Sequence, residues 1–247
     1  MRGDLTGGGA DDCGAGLVER AAAAAQVFVA DLDDPVLDPA DERHLSRSLR
    51  LRDGEPVAVS DGAGGWRGCR FRAAGRCGAW LELDGPVRRE PAPPFDLTVA
   101  FAPVKGDRPE WVVQKLTELG IDRLVPLLAD RSVVRWSGER GRAAVERLRR
   151  VAREAAAQSR RVRLPEVASP TATAMLAERP VLADLGGAQP SPSVHFVAIG
   201  PEGGWSDRER GMGLPTLGLG PRVLRAETAA VAAGVLLSAF RDGLVQG

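Results

Sequence analysis

The chain of 247 residues contains no tyrosine, three cysteines and two histidines, and Lys105 and Lys115 are its only lysines. Each shortage removes a class of function. Cys13, Cys69 and Cys77 form no C-x-x-C pair, and His44 and His195 lie far apart in sequence. Neither a disulfide framework nor a metal site is expected, and a reducing cytoplasm is the simplest compartment. No apolar run is long enough to span a bilayer. The short apolar stretch Ala21–Ala30 follows Asp11, Asp12 and Glu19, the wrong charges for a secretion signal. No membrane partner is expected.

What is present is a soluble globular composition, 44% hydrophobic and 27% charged, with zero net charge. The charge is segregated. Residues 43–89 carry a net +5 and residues 131–163 a net +8, so the remainder carries −13. Two cationic stretches in a neutral protein suit phosphate-binding faces or, alternatively, an arginine-rich solvated surface.

Residues 1–25, rich in Gly, Ala and Asp without periodicity, read as a disordered extension. Residues 26–90 read as a small β-rich domain. A short helix over 41–50 places Leu45 and Leu49 at i,i+4, and strands over 57–60, 66–72 and 79–83 follow. Arg67, Arg70 and Arg72 suggest an arginine-bearing outer face, for RNA contact or for solubility alone. The proline-rich Glu90–Pro94 is a stiff linker.

Residues 95–247 alternate strands and helices, which predicts a mainly parallel sheet flanked by helices. Strands are expected at 97–102, 124–128 (Pro126 marking an end), 181–183 and 196–199. Helices are expected at 110–119, 142–163 and 226–241, the last with an apolar stripe of Val231, Val235, Leu236 and Phe240.

Two glycine-rich stretches stand out. Phe196–Ile199 is a buried-strand pattern that breaks into Gly200-Pro201-Glu202-Gly203-Gly204-Trp205. About 20 residues on comes Leu217-Gly218-Leu219-Gly220-Pro221-Arg222-Val223-Leu224-Arg225. Glycine lets backbone approach a ligand closely, and open α/β sheets bind ligands at such strand ends. The two loops are expected to line one pocket. Gly218-x-Gly220 lacks the third glycine and the distal acid of a dinucleotide fingerprint.

Four ordered blocks carry a family resemblance. They are Lys105 to Gly120 with Arg108, Glu110-Trp111 and Thr117-Glu118-Leu119; Glu154, Gln158-Ser159 and Arg161; Ile199–Gly204; and Leu219–Ala229. Over residues 26–245 the chain resembles the RsmE-type small-subunit (16S) ribosomal RNA uracil-N3 methyltransferases. The resemblance implies a SPOUT-class α/β domain with a trefoil knot over 95–247 and helices on both faces of a mainly parallel sheet. It also implies an N-terminal PUA-like RNA-binding β-barrel over 26–90, S-adenosylmethionine as methyl donor, and a homodimer. The implied partner is small-subunit ribosomal RNA or the assembled subunit. Two departures stand out. Ser206–Gly218 is short and interrupted by Gly211, Gly213 and Pro215, and Ser159 occupies a position where the family often has cysteine.

On that resemblance the cofactor is held by Ile199, Gly200, Pro201, Glu202, Gly203 and Gly204 from one loop. Leu219, Gly220, Val223, Leu224, Arg225 and Thr228 hold it from the other. The uracil N3–H is weakly acidic, so a carboxylate must take its proton or a cation must stabilise the resulting anion. Glu202 and Glu227 are candidates for the first role and Arg225 for the second. Each has a structural alternative: helix stabilisation for Glu227, a turn hydrogen bond for Glu202, an ion pair with either for Arg225. The RNA-contact set is Lys105, Arg108, Arg131, Arg135, Arg153, Arg160 and Arg161, with Gln158 either reading a base edge or capping a helix. Trp111 and Trp205 are candidates for stacking a flipped base, with a core role expected for Trp111. The rival readings are a SPOUT-class ribose 2′-O-methyltransferase of tRNA or rRNA and a catalytically inactive RNA-binding assembly protein. The first would carry a Ser-Leu-Asn block in place of Arg225-Ala226-Glu227-Thr228.

Overall fold

The structure, a computed structural model, describes residues 10–73, 78–176 and 178–246, with side chains from residue 16 onward. The chain divides into two compact units. One comprises Met1–Ala92 and Ala156–Leu164, the other Pro93–Ala155 and Pro165–Gly247. The break at Ala92 falls in the proline-rich linker. The membership of Ala156–Leu164 in the first unit has no counterpart in the sequence pattern.

The first unit opens with a helix, α1 (Ala10–Ala22), where composition predicts disorder; residues 1–9 lie outside the described residues. Arg20 makes the chief buried contacts of this helix, and Glu19 pairs with Arg88 at 2.6 Å. Arg20 is 2% exposed, lies 4.7 Å from the centroid of the Trp66 ring and pairs with Glu90. Gly16 lies against the same ring, where an added Cβ would stand 3.3 Å from Trp66 Cζ2. A desolvated cation on an indole face contributes about 2 kcal/mol, a gain that composition does not display.

Five strands follow: β1 (Ala25–Phe28), β2 (Pro56–Ser60), β3 (Gly65–Ala73), β4 (Ala79–Leu83) and β5 (Arg88–Arg89). They form one sheet in the order β1-β2-β3-β4, with β5 also on β3. β1 and β2 pair in parallel and the other neighbours antiparallel. Between β1 and β2, α2 (Pro39–Arg43), capped by Asp38, runs into a π-type turn that buries Leu45. Val57, Val59, Phe71 and Leu81 close on the same core, which holds Cys69. Burial pushes the Cys69 thiol up to about 11, so it is an inert packing group.

The arginines of β3 do not form an open cationic face. Arg67 is buried and donates to the carbonyls of Leu32 and Gly85. Arg70 pairs with Asp84, and Arg72 with both Asp53 and Glu82. The charge there is matched locally.

The second unit is built on β6 (Thr98–Phe101), α3 (Arg108–Glu118), β7 (Arg123–Leu128), α4 (Gly138–Gln158), β8 (Glu166–Val167), β9 (Thr171–Ala172) and β10 (Val181–Ala188). β11 (Phe196–Ile199), α5 (Asp207–Arg210), β12 (Thr216–Leu217) and α6 (Ala226–Arg241) complete it. The sheet order is β12-β10-β11-β6-β7-β8, with β9 on β7. Every neighbouring pair is parallel, the α/β arrangement that alternating elements predict. β6 and β11 are buried at every residue, as central parallel strands are.

Three expectations are corrected here. α4 ends at Gln158, not Arg163, because Arg160 adopts φ 61°, outside the helical region. Pro126 is not at a strand end. It lies inside β7 where the neighbour changes, β8 pairing through Leu124 and β9 from Leu127, so its missing N–H falls in the gap. The buried face of α6 is not the valine–phenylalanine stripe but Ala226, Ala230, Ala233, Gly234 and Leu237. Close approach to α3 selects small residues: a Cβ on Gly234 would stand 2.6 Å from Leu116 Cδ2. Among the described residues no helix is long and apolar enough to cross a membrane.

Arg20→Ala removes the ion pair and the cation–π contact together. It should lower stability by about 3 kcal/mol, read as the urea midpoint of the first unit. Leu17→Ala, at a position 49% exposed, should leave the midpoint unchanged. Equal midpoints for both variants would show that α1 contributes nothing.

Candidate active site

A parallel sheet sends all its carboxyl ends to one edge, and three neighbouring strands, β10, β11 and β12, end there in loops. Between these loops lies a cavity of about 390 Å³, a size suited to a small organic ligand. Ile199, Gly200, Pro201, Glu202 and Gly204 line it from the first glycine-rich loop. Leu219, Gly220, Val223, Leu224 and Arg225 line it from the second. Two expected residues stay outside. The Gly203 carbonyl accepts a hydrogen bond from Arg131 Nη1 at 3.1 Å, and its Cα faces the Arg131 side chain. Thr228 is exposed on α6 away from the lining. Sequence reasoning misses Ala183, Asp184 and Leu185 on β10, and it names no role for Arg222, Ala226 and Ala229 within the second stretch. The pair Gly186-Gly187 is the available signal for the β10 wall. Gly187 lets Leu217 backbone approach within 2.5 Å of a virtual Cβ.

The floor is set by Trp205, which is 2% exposed. Its Nε1–H donates to the Ala183 carbonyl at 2.9 Å. Its ring lies beneath Gly200, where an added Cβ would be 3.0 Å from Cε2. Trp205 is therefore a core residue, and Trp111, 44% exposed on α3, is the accessible aromatic. Both expectations for the tryptophans are reversed.

The short segment after Trp205 is firmly anchored. α5 has four residues, and Ser206 with Glu209 forms a reciprocal capping box at its start. Glu209 is fully buried. Its carboxylate accepts from Thr173 Oγ1 at 2.6 Å, the Asp130 amide at 3.1 Å and the Ser206 amide at 3.0 Å. Asp130 in turn accepts from Ser206 Oγ at 2.5 Å and pairs with Arg208. The Arg208 guanidinium and the Ser206 hydroxyl hold the Asp130 carboxyl down at about 2. Gly211, Gly213 and Pro215 keep the helix short, and the polar anchor takes the place of further turns.

Beside the first cavity lies a second, of about 290 Å³, lined by Pro103, Val104, Lys105, Arg108 and Val133 together with Pro201 and Glu202. Arg108 Nη1 sits 3.6 Å from Glu202 Oε1 and 3.4 Å from Glu227 Oε1. Arg108, not Arg225, is thus the partner of both carboxylates. Arg225 is exposed, stands at the N-cap position of α6 and makes no ion pair among the described residues. Glu227 occupies the first turn of α6, where a carboxylate is favoured by the helix dipole. Its Oε2 is buried with no hydrogen-bond partner among the described residues.

The remaining arginines divide by task. Arg131 braces Gly203, and Arg135 donates to the Asp130 carbonyl at 3.3 Å. Arg160 belongs to the first unit and donates to the Ala23 carbonyl at 2.7 Å. Burial lowers its pKa, and the backbone carbonyl contact gives it a structural role. Arg161 is half-buried in the same unit, and its carbonyl accepts from Gln26. Arg153 is half-buried on α4, while Gln158 at its end and Lys105 are exposed.

The fold and this edge of the sheet define an RNA-modifying class: residues 91–238 match the family model described as RNA methyltransferase domain. The chain is 33% identical over 232 residues to the ribosomal RNA small subunit methyltransferase E of Mycobacterium bovis, covering 82% of this chain and 87% of that protein. To the protein of the same name from Synechocystis it is 32% identical, with 83% and 73% covered. The chain belongs to the ribosomal RNA small subunit methyltransferase E family. A methyltransferase structure from Legionella pneumophila, solved with bound SAM, superposes with a TM-score of 0.76 at 26% identity, covering 87% of this chain and 96% of that one.

The anchor has a pH signature. Because the Asp130 pKa falls from 3.8 to about 2 in the fold, its stabilisation is present above pH 3.8 and is lost as pH falls towards 2. Asp130→Asn should be less stable than wild type at pH 6, with the difference vanishing by about pH 2 in urea midpoints. A difference that persists unchanged at low pH would place the effect elsewhere.

Proposed function

We propose that the chain transfers a methyl group from S-adenosylmethionine to N3 of a uridine in small-subunit (16S) ribosomal RNA. The observation that carries this reading is the cavity formed by two glycine-rich loops at the carboxyl edge of a parallel sheet. Its lining suits a ligand with both charge signs: Asp184 and Glu202 bring carboxylates, and Arg222 brings a guanidinium. Gly220, at φ 115°, leaves open space where a Cβ would stand, so backbone is exposed to the ligand. Ile199, Gly200, Leu219 and Leu224 would hold the cofactor there. When bound, S-adenosylmethionine supplies an activated methyl on a sulfonium.

The chain's own task is to orient the base, exclude water and manage one proton. Glu202 and Glu227 are the carboxylates for the N3 proton. Arg225, which lines the cavity without an ion pair among the described residues, stabilises the negative charge that develops on uracil. The same reading includes a trefoil knot in the second unit, a PUA-like barrel in the first, a homodimer and a cytoplasmic location. The feature that favours an inactive scaffold, the short Ser206–Gly218 segment, is anchored by Glu209 and Asp130. That anchoring supports the catalytic reading.

Two outcomes test the assignment of roles. Arg225→Ala should lower methyl transfer by about 100-fold or more, while calorimetry finds cofactor affinity within about threefold of wild type. Parallel loss of both would make Arg225 a binding or structural residue. Charge reversal of Lys105 and Arg135 should weaken RNA binding and lower the slope of log K against log salt by about one for each phosphate no longer neutralised. An unchanged slope would remove them from the RNA face.

A further inference from the structure

We infer that the second cavity is the seat of the target base and that Arg108 and Glu202 read uracil in it, with Glu227 positioning Arg108. The inference rests on the methyltransferase reading above and assigns Arg108 to the base and not to a phosphate.

The position supports it first. Pro201 and Glu202 line both cavities, so a base in the second faces the cofactor cavity across one turn of chain. Methyl transfer needs its two reacting atoms close and in line, and the shared lining of Pro201 and Glu202 makes the second cavity the neighbour of the first. The apolar groups Pro103, Val104 and Val133 offer flat contact to a ring.

Charge supports it second. The pairing edge of uracil reads acceptor, donor, acceptor: a carbonyl, N3–H and a second carbonyl. Arg108 and Lys105 bring donors to the cavity, and Glu202 brings the acceptor. The separations of 3.6 and 3.4 Å from Arg108 to the carboxylates are longer than a charge-assisted hydrogen bond of about 2.7–2.9 Å. The guanidinium is held electrostatically, with its N–H groups able to redirect to a carbonyl oxygen. The Glu227 side chain is 13% exposed and that of Glu202 is 59% exposed. Glu227 therefore fixes Arg108 from the buried side as a positioning residue, and Glu202 is the carboxylate that meets the base. Cytosine would turn an N3 lone pair towards Glu202 and an amino group towards a cation, and both contacts are repulsive.

The step balances. The N3 proton passes to the Glu202 carboxylate. The nitrogen electron pair forms the bond to the methyl carbon, and the carbon–sulfur pair leaves with sulfur as a neutral thioether. Arg108 donates to one carbonyl oxygen of the base meanwhile, and shares the stabilisation of its charge with Arg225.

The test that does not depend on turnover is a nuclear magnetic resonance titration of the ¹⁵N-labelled full chain with uridine and cytidine 5′-monophosphates. The uridine nucleotide should shift the amides of Val104, Lys105 and Glu202 and the Arg108 Nε–H, with cytidine binding at least about tenfold weaker. Arg108→Ala should erase the preference while cofactor affinity stays within about threefold. Glu227→Gln should reduce the uridine-to-cytidine ratio while cofactor affinity stays within about threefold. Equal shifts with both nucleotides, or no shift at these residues, would overturn the inference. A wild-type enzyme that forms N3-methyluridine but shows no preference would sink this assignment alone. One that forms no such product would sink the proposed function itself.

Discussion

The hydrogen bond from Trp205 Nε1 to the Ala183 carbonyl is the constraint on which the site depends. It ties β10 at Ala183, the last residue paired with β11, to the turn that follows β11. The ring also supports Gly200 from below, so the backbone that faces the cavity is fixed before any ligand arrives. A site built this way is preorganised by packing. Glu209 extends the same logic: one buried carboxylate satisfies an amide of the β7 loop, a threonine hydroxyl and the amide that starts α5. Buried charge is stable only with such full satisfaction.

Arginine placement follows the same pattern. Arg20, Arg67, Arg70, Arg72 and Arg160 all direct their charge to carboxylates or backbone carbonyls within the first unit. These five arginines serve the fold. In the second unit, the cations that line the two cavities are few: Lys105, Arg108, Arg222 and Arg225. Net-charge segregation along the sequence points to phosphate binding in broad stretches.

Much of this is legible in the sequence, for identifiable reasons. The parallel sheet follows from strand–helix alternation, and the cavity from two glycine-rich loops whose backbone must approach a ligand. The parts that are not legible depend on tertiary contact. α1 looks disordered by composition because its chief buried contacts are those of Arg20 with a distant Trp66. The packed face of α6 is hidden because hydropathy favours valine and phenylalanine, whereas the tight approach to α3 requires Gly234 and alanines. Trp111 and Trp205 exchange roles because helical periodicity cannot distinguish an exposed tryptophan from a buried one in a loop. The pairing of Arg108 with Glu202 and Glu227 joins residues far apart in sequence, and no local pattern encodes it.

The central claim is methyl transfer to N3 of a uridine in small-subunit ribosomal RNA. The most direct measurement incubates the purified protein with labelled S-adenosylmethionine and small ribosomal subunits from a strain that lacks the modification. The RNA is then digested and its nucleosides separated by mass spectrometry. The account predicts label in N3-methyluridine. Label in a 2′-O-methylated nucleoside, or no label in any nucleoside, would contradict it.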